Sequence, residues 1–361
     1  MLSVNHAEFA SKVKALGKQA LENTGMADYY HMRTIETFGY VLFIVSLGLC
    51  YYQLIWIAAL CMAFSMMIKW LLMHHVGHGG YNKIANIPAR YHSKKYAIGW
   101  RRYWDWFDWI KPEAWNYEHN YLHHYFTGEE KDPDLVERNL DWLAQAKIPY
   151  VLKFLIVLFF ASTWKFTYYS ARTLSYLKGY NEVNFGNFFD LRKKSQQVMW
   201  FELFLPYVLF HFVFPTGLLN YFFPGVGDTY LQARLLAEAL HNMHTFLVII
   251  PNHSGPDIYR FHKVDASQRT EAHFYLRQIL GSANFNTGSE WLDLSQMYLN
   301  YQIEHHLFPN LSMLQYRKIQ PQIKALCLQY NIPYVQESVW LRFYKMVQIA
   351  TGQNKMLVDT K

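Results

Sequence analysis

The hydrophobic residues of this chain concentrate in a few long stretches. Residues 38–73 are apolar almost throughout, and this stretch of 36 residues is too long for a single membrane span, which needs about 20. We therefore predict two spans in a tight hairpin, at 38–53 and 55–73. The alternative is one long buried helix of a water-soluble protein, but such a helix would keep a polar face.

A second pair of spans is predicted at 198–223 and 229–250. The latter contains four ionisable side chains, Arg234, Glu238, His241 and His244. Ionisable groups at membrane depth usually face a bundle interior or a cavity, so we expect this span to face inward. A shorter apolar stretch, 149–162, contains Lys153 and is predicted to form an interfacial or partly embedded helix.

Three histidine clusters lie near the ends of apolar segments or between them. The first box is HHVGH at 74–78, the second is HNYLHH at 119–124, and the third is QIEHH at 302–306. Residues three and four apart share one face of a helix, so each box aims at least two imidazoles at one point. The rings of an adjacent His-His pair point in different directions and can serve two neighbouring metals. Because neutral imidazole suits zinc, copper, iron and nickel, the sequence predicts a nitrogen-rich centre for more than one metal ion.

The three boxes must lie on one side of the membrane to share a site, which requires an even number of crossings between them. The two predicted far-side turns, near 51–54 and 220–229, contain no Lys or Arg, whereas residues 79–148 contain many. Positive residues stay on the cytoplasmic face. We therefore predict an all-α integral membrane protein with two transmembrane helical hairpins and a cytoplasmic helical cap that holds a di-metal site.

These spans divide the chain into three predicted parts. Residues 1–37 form a cytoplasmic amphipathic segment, 38–335 form the main domain, and 336–361 form a cytoplasmic tail. The cap comprises 74–197 and 251–335. Both termini are expected on the cytoplasmic side.

Composition narrows the chemistry. The 361 residues are 52% hydrophobic, yet the mean hydropathy is only −0.09, so much of the chain is expected to contact water. The three cysteines form no C-x-x-C pair, which argues against cysteine ligation and a disulfide framework. The basic, aromatic stretch before the second box also contains Asp105, Asp108 and Glu113, which would repel phosphates. No nucleic-acid partner is predicted.

The three boxes together resemble those of the membrane fatty acid desaturases. That superfamily carries His-x3–4-His, His-x2–3-His-His and His- or Gln-x2-His-His, and this chain matches all three motifs. The third box begins with Gln302 and is followed by Leu307, Phe308 and Pro309. In this it resembles the third box of the front-end desaturases and their bacterial relatives. The resemblance covers about residues 35–335.

By this resemblance, the metal ligands are expected to be eight histidines. They are His74, His78, His119, His123, His124, His253, His305 and His306. His253 lies in IIPNHSG, where polar sequence resumes after the last span, and it is the best match to a further histidine that the family uses. Gln302 occupies a ligand position of the family, but its amide is a weaker ligand. It is expected to bind weakly or through water, and Asn252 to help through a water.

Other polar residues near the boxes are given supporting roles. His75 is expected to lie just outside the ligands. Glu118 and Glu304 each adjoin a box histidine and either accept its other ring N–H or point away. His241 and His244 share a helix face below the proposed site and are candidates for lining a substrate cavity.

The remaining histidines and one acidic motif are not expected to bind metal. His6, His31 and His92 are predicted to be solvated, His211 to be hydrogen-bonded within a span, and His262 and His273 to fit no box. DPDL at 132–135 is interpreted as a loop turn.

The resemblance implies a non-haem centre of two iron ions that uses O2 to introduce a C=C bond into a fatty acyl chain. Two adjacent hydrogens leave the chain, and two electrons and two protons complete the reduction of O2 to two waters. The acyl carrier, a glycerolipid or a thioester, stays open. Many front-end relatives carry a fused cytochrome b5 domain with a His-Pro-Gly-Gly motif, which this sequence does not contain. A separate donor, ferredoxin or cytochrome b5, is therefore expected. The basic groups near Arg101 and Arg102 are candidates to attract an acidic donor or lipid phosphates.

Two other functions remain open from the sequence. A membrane di-iron lipid hydroxylase would use the same scaffold and oxidant but would insert oxygen. A metal transporter or sensor would place ligands near the bilayer midplane at broken helices, whereas these boxes lie at span ends and in the cap. The QIEHHLFP sequence favours desaturation.

Overall fold

Helices dominate the computed structural model, which describes residues 6–180, 185–262 and 270–359. The longer helices are His6–Glu22, Met26–Tyr51, Ile55–Gly77, Tyr150–Lys178, Lys194–Phe222, Val226–Ile249, Glu271–Leu280, Met313–Gln329 and Val339–Ala350. Shorter helices and helical turns are Ala89–Tyr91, Gly99–Arg101, Arg102–Asp105, Pro112–Trp115, Asn116–His123, His124–Phe126, Val136–Asn139, Asp141–Ala144, Phe185–Asn187, Ile250–His253, Glu290–Ser295, Leu299–Tyr301 and Gln302–Leu307. Two pairs of short parallel strands join Tyr259–Phe261 to Leu357–Asp359 and Asn284–Phe285 to Gln336–Glu337.

Four helices are long and apolar enough to cross a membrane, which confirms the all-α membrane fold. They are Met26–Tyr51, Ile55–Gly77, Tyr150–Lys178 and Lys194–Phe222. The first begins 12 residues before the span predicted at 38–53. The helix predicted at 149–162 is longer than expected. It continues through a π-helical turn and reaches Lys178, so that it comprises 29 residues. Helix Val226–Ile249, which corresponds to the span predicted at 229–250, is not among the four.

The first two membrane helices form a hairpin, as predicted. The chain leaves helix Met26–Tyr51 through Gln53, whose φ of 58° lies in the left-handed region and reverses the chain. The helices then pack closely at Gly39, because a Cβ there would lie 2.8 Å from Cγ2 of Ile68. The Ser65 hydroxyl donates to the Gly39 carbonyl over 2.8 Å, so the hairpin is fixed by a close backbone approach and a polar contact.

Helix Val226–Ile249 runs beside Ile55–Gly77 in the same direction. Its first turns share a hydrophobic cluster with Cys50, Ala58 and Ala59 at the hairpin turn, and its last turn leads directly into His253. Its 24 residues extend about 36 Å at 1.5 Å per residue. The ionisable side chains on this helix face inward as predicted, since Arg234 and Glu238 are buried and bond each other over 2.8 Å.

Both ends of helix Tyr150–Lys178 contact parts of the cap. Near its beginning, Lys153 donates to the Thr351 carbonyl over 3.0 Å. Beyond its midpoint, the Tyr169 hydroxyl donates to Glu118 of the second box over 2.8 Å. Between these two contacts, Trp164 donates to the Asn242 carbonyl of helix Val226–Ile249 over 3.0 Å, so the helix packs on both the cap and the bundle.

The two ends of the described chain are also packed on the cap. The amphipathic segment forms helix His6–Glu22, which buries Phe9 and Val13 against the cap core. Residues 336–359 were predicted to be a tail, but they form a strand, helix Val339–Ala350 and a second strand that pair with and bury cap residues. The tail prediction is therefore wrong for these residues.

The buried pair Arg234–Glu238 gives a test of the bundle. In Arg234→Met, the Glu238 carboxylate stays buried beside Tyr207 and Trp109, which both donate to it, but it loses its cation. Breaking one partner of a buried pair costs about 3–5 kcal/mol, whereas replacing both partners is often neutral. We expect R234M to lower the thermal midpoint of the detergent-purified protein, and R234M/E238Q to recover most of the loss. Equal midpoints for R234M and the wild type would contradict the account.

Candidate metal centre

The first box ends helix Ile55–Gly77. His74 and His78, four residues apart, direct their rings to the same side, with ring centroids 4.8 Å apart. His75 points elsewhere, and its Nε2 lies 3.1 Å from the Met297 carbonyl. The structure thus separates the two predicted ligands from their neighbour, as the sequence predicted.

The second box lies on a π-helical segment, Asn116–His123. The wider i→i+5 repeat of a π-helix, which is frequent at functional sites, brings His119 and His124 onto one face with their Nε2 atoms 3.3 Å apart. His123 stacks on His119, with ring centroids 5.2 Å apart. An ordinary α-helix would not direct all three rings inward.

The third box and His253 complete the cluster from the opposite side. In helix Gln302–Leu307, His305 and His306 are fully buried. Nε2 of His305 lies 2.9 Å from Nε2 of His74. The His306 ring lies between those of His124 and His253, with centroid distances of 4.3 and 4.5 Å.

Seven of the eight histidines separate into two adjoining groups. In each, one ligand atom per residue lies within 4.8 Å of the others. The first group is His74, His78, His119 and His305, and the second is His123, His253 and His306. A further combination, His124 with His305 and His306, overlaps both. The arrangement therefore provides two neighbouring positions for metal ions, with His124 beside the junction.

Several ring nitrogen atoms at the centre of the cluster are placed to bind cations. Nε2 of His78 and Nε2 of His306 are buried without a hydrogen-bond partner, which is costly unless another group satisfies them. The close Nε2 pair of His74 and His305 brings two lone-pair positions together. Two nitrogen-rich metal ions would satisfy these atoms, and imidazole suits iron among other transition metals.

Burial keeps most of these imidazoles neutral, as metal binding requires. It lowers the pKa of His119, His124, His305 and His306 well below the usual range, and it lowers the pKa of His253 to about 3. Burial also acts on His123, but the Asp132 carboxylate, with a smaller contribution from Asp134, outweighs it and raises the pKa of that ring.

Groups behind the rings fix their orientation through Nδ1. His123 Nδ1 lies 2.8 Å from Asp132 Oδ1, and His305 Nδ1 lies 3.2 Å from the Tyr316 hydroxyl. His306 Nδ1 lies 3.0 Å from Gln278 Oε1, and His253 Nδ1 lies 3.2 Å from the Gly281 carbonyl. Such partners set which ring nitrogen faces the metal and raise the basicity of the ligand.

Neither glutamate of the boxes accepts a ring N–H, so that alternative is wrong. Glu118 accepts from the Tyr169 hydroxyl. Glu304 accepts from Asn284 over 2.8 Å and from the Tyr334 hydroxyl over 2.7 Å, and burial raises its pKa to about 7. Their contacts tie the box helices to neighbouring segments.

The two amides lie at the second group. Gln302 Nε2 is 2.8 Å from His253 Nε2, and Asn252 Nδ2 donates to the Leu299 carbonyl over 2.9 Å. Oδ1 of Asn252 is buried without a hydrogen-bond partner. Gln302 is therefore close enough to assist the second position, and Asn252 lies next to it, with its Nδ2 3.4 Å from Gln302 Oε1.

An apolar cavity reaches the histidines. Its wall is formed by Trp70, Trp115, Val136, Trp164, Tyr169, Ile249, Ile250 and Leu299, and its polar lining by His74, His119, His123, Asp134, His253 and Gln302. His241 and His244, predicted as cavity residues, do not line it. His244 instead contacts the Ser295 carbonyl over 2.6 Å. The cavity therefore brings a largely apolar space directly beside both groups.

Some residues that contact the histidines were not predicted to do so from the sequence. DPDL does form a turn, since Asp132 accepts from the backbone N–H of Gly128 and Asp134, but the same carboxylate also holds His123. In the sequence, the signal for this contact with His123 is an acidic residue shortly after a histidine box. Gln278 gave no signal because it comes from a distant helix, and Tyr316 lies outside the box motif, in the helix that follows the third box.

The structure also bears on the predictions for polar residues outside the centre. His31 is not simply solvated, because it contacts Glu290 over 2.7 Å. His211 does bond within the bundle, to the Phe107 carbonyl over 2.9 Å. Arg101 pairs with Asp105, and Arg102 is buried against the Glu202 carbonyl, so neither offers a free charge for a donor.

Comparison with known proteins finds one matching family. The fatty acid desaturase family matches residues 52–338. A NADPH-dependent stearoyl-CoA 9-desaturase of Mycobacterium tuberculosis is 27% identical over 301 residues, covering 80% of this chain and 65% of that protein. Fatty acid desaturase 3 of Bos taurus is 24% identical over 280 residues, covering 77% of this chain and 57% of its own length. An acyl-lipid (9-3)-desaturase of Physcomitrium patens is 29% identical over 154 residues, covering 43% of this chain and 25% of its own length.

The chain spans less than two thirds of the length of these curated relatives. No solved structure matches it.

The Asp132–His123 contact gives a test of the centre. Asp132→Asn removes the charge that orients and polarises the ring, and loss of such a partner typically costs 10- to 100-fold in metal affinity or activity. We expect D132N to weaken Fe²⁺ retention about tenfold or more in a chelator titration. The exposed neighbour variant Glu130→Gln serves as the control. If D132N and E130Q retain iron equally, Asp132 has no such role.

Proposed function

Because this chain belongs to the fatty acid desaturase family, we propose that it is an O2-dependent membrane desaturase that introduces a C=C bond into a fatty acyl chain. The observation that carries this proposal is the apolar cavity in direct contact with both histidine groups. An unactivated C–H bond is broken only by an oxidant that amino acids do not supply. A cavity shaped for apolar material beside two metal positions fits that chemistry.

Two iron ions are proposed as the cofactor. His74, His78, His119 and His305 would hold one, and His123, His253 and His306 the other, with His124 at the junction and Gln302 or Asn252 assisting. When bound, the irons would supply the redox chemistry that reduces O2 to two waters with two substrate hydrogens, two external electrons and two protons. The described residues hold the imidazoles neutral and oriented for this role.

The cavity wall positions the substrate and excludes water. Trp70 and Trp164 form an aromatic boundary below the histidines, with ring centroids 6.2 Å apart. Trp115 stacks on His119 at 4.7 Å and covers the ring on the cavity side. An acyl chain in this space would have its methylene groups beside the ligands, and burial in a dry cavity protects reactive steps from side reactions.

We propose that four helices cross the membrane, Met26–Tyr51, Ile55–Gly77, Lys194–Phe222 and Val226–Ile249. The parallel course of Val226–Ile249 and Ile55–Gly77 supports this choice. Helix Tyr150–Lys178 would lie along the interface, because both of its ends contact the cap. The centre and both termini would then be cytoplasmic, in agreement with the distribution of positive residues.

A separate donor, ferredoxin or cytochrome b5, is proposed to deliver the electrons on the cytoplasmic face. The acyl carrier is proposed to be either a glycerolipid or a thioester. The printed names of the relatives include a stearoyl-CoA desaturase and an acyl-lipid desaturase, so an assay should offer both carriers.

Lipid profiling tests the proposed reaction. We expect coexpression of the protein with a redox partner to produce a new double bond in the fatty acids of the host. His305→Ala and His123→Ala should abolish it, because each removes a ligand from one group, whereas His262→Ala, an exposed residue, should be near neutral. An added hydroxyl without unsaturation would identify a hydroxylase. No change in any fatty acid pool, despite a folded protein and a working partner, would refute the proposal.

A cavity variant separates substrate binding from metal binding. Val136 is 5% exposed and lines the cavity, and Val136→Phe would fill part of it without replacing a proposed ligand. We expect V136F to retain iron and to lose most activity on long acyl chains. Val41→Phe, on the exposed face of the first membrane helix, is the matched control. Unchanged turnover in V136F would show that the acyl chain binds elsewhere.

A further inference from the structure

A fully buried arginine lies in helix Val339–Ala350, beyond the end of the family match at residue 338. The guanidinium of Arg342 donates through Nη2 to the Ser254 carbonyl over 2.8 Å. Its Nε and Nη2 also approach the Pro251 carbonyl at 3.4 Å. A single side chain therefore contacts the backbone on both sides of His253.

The segment that Arg342 contacts is short and carries a proposed ligand. The helical turn Ile250–His253 ends in extended backbone at Ser254, so its last carbonyls have no helical partner. On the other side, the Asn252 carbonyl accepts from the Ala283 N–H over 2.8 Å, and the His253 ring contacts the Gly281 carbonyl. The His253 loop, residues 250–255, is thus held between residues 281–283 and Arg342.

Charged groups around Arg342 hold the guanidinium in place. Its Nη1 donates to Asp257 over 2.6 Å, and Lys345 bridges Asp257 and Glu337 at 2.7 and 2.6 Å. A buried cation is tolerated when it is paired and hydrogen-bonded. The planar fork of arginine can serve a carboxylate and two carbonyls at once, which a lysine cannot.

The packing leaves no room for the loop to move toward the arginine. A Cβ at Gly255 would lie 2.5 Å from Nη2 of Arg342 and 2.8 Å from Oδ1 of Asp257. The same C-terminal segment packs Ile349 and Met356 against Leu135, at the end of the turn that contains Asp132. The segment therefore supports two proposed ligands of one group, His253 and His123.

We propose that Arg342 is a positioning residue that fixes His253 in the second histidine group, so that occupancy of the second metal position depends on it while the first does not. This inference rests on the proposed di-iron function. Arg342 acts only through the backbone of the His253 loop. The first group, His74, His78, His119 and His305, has no contact with this arginine among those described.

The test measures iron per chain and the Mössbauer spectrum of ⁵⁷Fe-loaded protein for the wild type, Arg342→Lys, Arg342→Met and Gly255→Ala. We expect two irons in the wild type and about one in R342M, with loss of one of two spectral components. R342K, which keeps the charge but not the fork, should hold the second iron more weakly in a chelator titration than the wild type and more tightly than R342M. Lys355→Met, which removes an exposed cation from the same segment, is the matched control and should retain both irons.

The outcomes separate this inference from the proposed function. A wild type without iron would refute the di-iron proposal itself. Two irons with wild-type spectra in both R342M and G255A would overturn the role of Arg342. Equal loss of both irons in R342M would also overturn it, because that result indicates general destabilisation. If R342M does not fold, G255A decides, since its new methyl group must displace the guanidinium from the loop.

Discussion

The need to gather buried, neutral imidazoles around two points is the constraint on which the rest of this structure depends. Eight histidines from four segments of the chain fall into overlapping groups of three or four, and within each group the ligand atoms lie within 4.8 Å of one another. Their Nε2 atoms converge, and two of them have no hydrogen-bond partner. Buried polar groups without partners are costly, and bound cations would satisfy these atoms. The helices, the π-helical segment and the strand pairs serve to hold those rings in place.

Each segment reaches the centre by a different structural device. The first box extends a membrane helix, the second uses a π-helical repeat to turn three rings inward, and the third is a short helix tied by Glu304 to Asn284 and Tyr334. His253 lies on a loop that other segments must hold. Ligands on regular helices are positioned by their own backbone, whereas a ligand on a loop needs outside support. The His253 loop has such contacts on both sides, with residues 281–283 and with Arg342.

The clustering of the eight histidines is predictable because their spacing is local. His-His pairs and i, i+4 histidines are visible in sequence, and His253 follows the end of an apolar segment. Asp132 was interpreted correctly as a turn, but its contact with His123 depends on how that turn folds back. Arg342 lies far in sequence from the His253 loop, so no local pattern indicates it. The C-terminal segment is predicted to be a tail. In the structure, however, Arg342, Met346 and Ala350, spaced four apart, are all buried in helix Val339–Ala350. That spacing predicts a packed helix face.

X-ray diffraction recorded at the iron absorption edge tests the proposed metal positions most directly. The proposed centre predicts two anomalous peaks in the wild-type protein. One should lie among His74, His78, His119 and His305, and the other among His123, His253 and His306, both beside the apolar cavity. A single peak, a peak outside these two groups, or zinc in place of iron in active protein would contradict it.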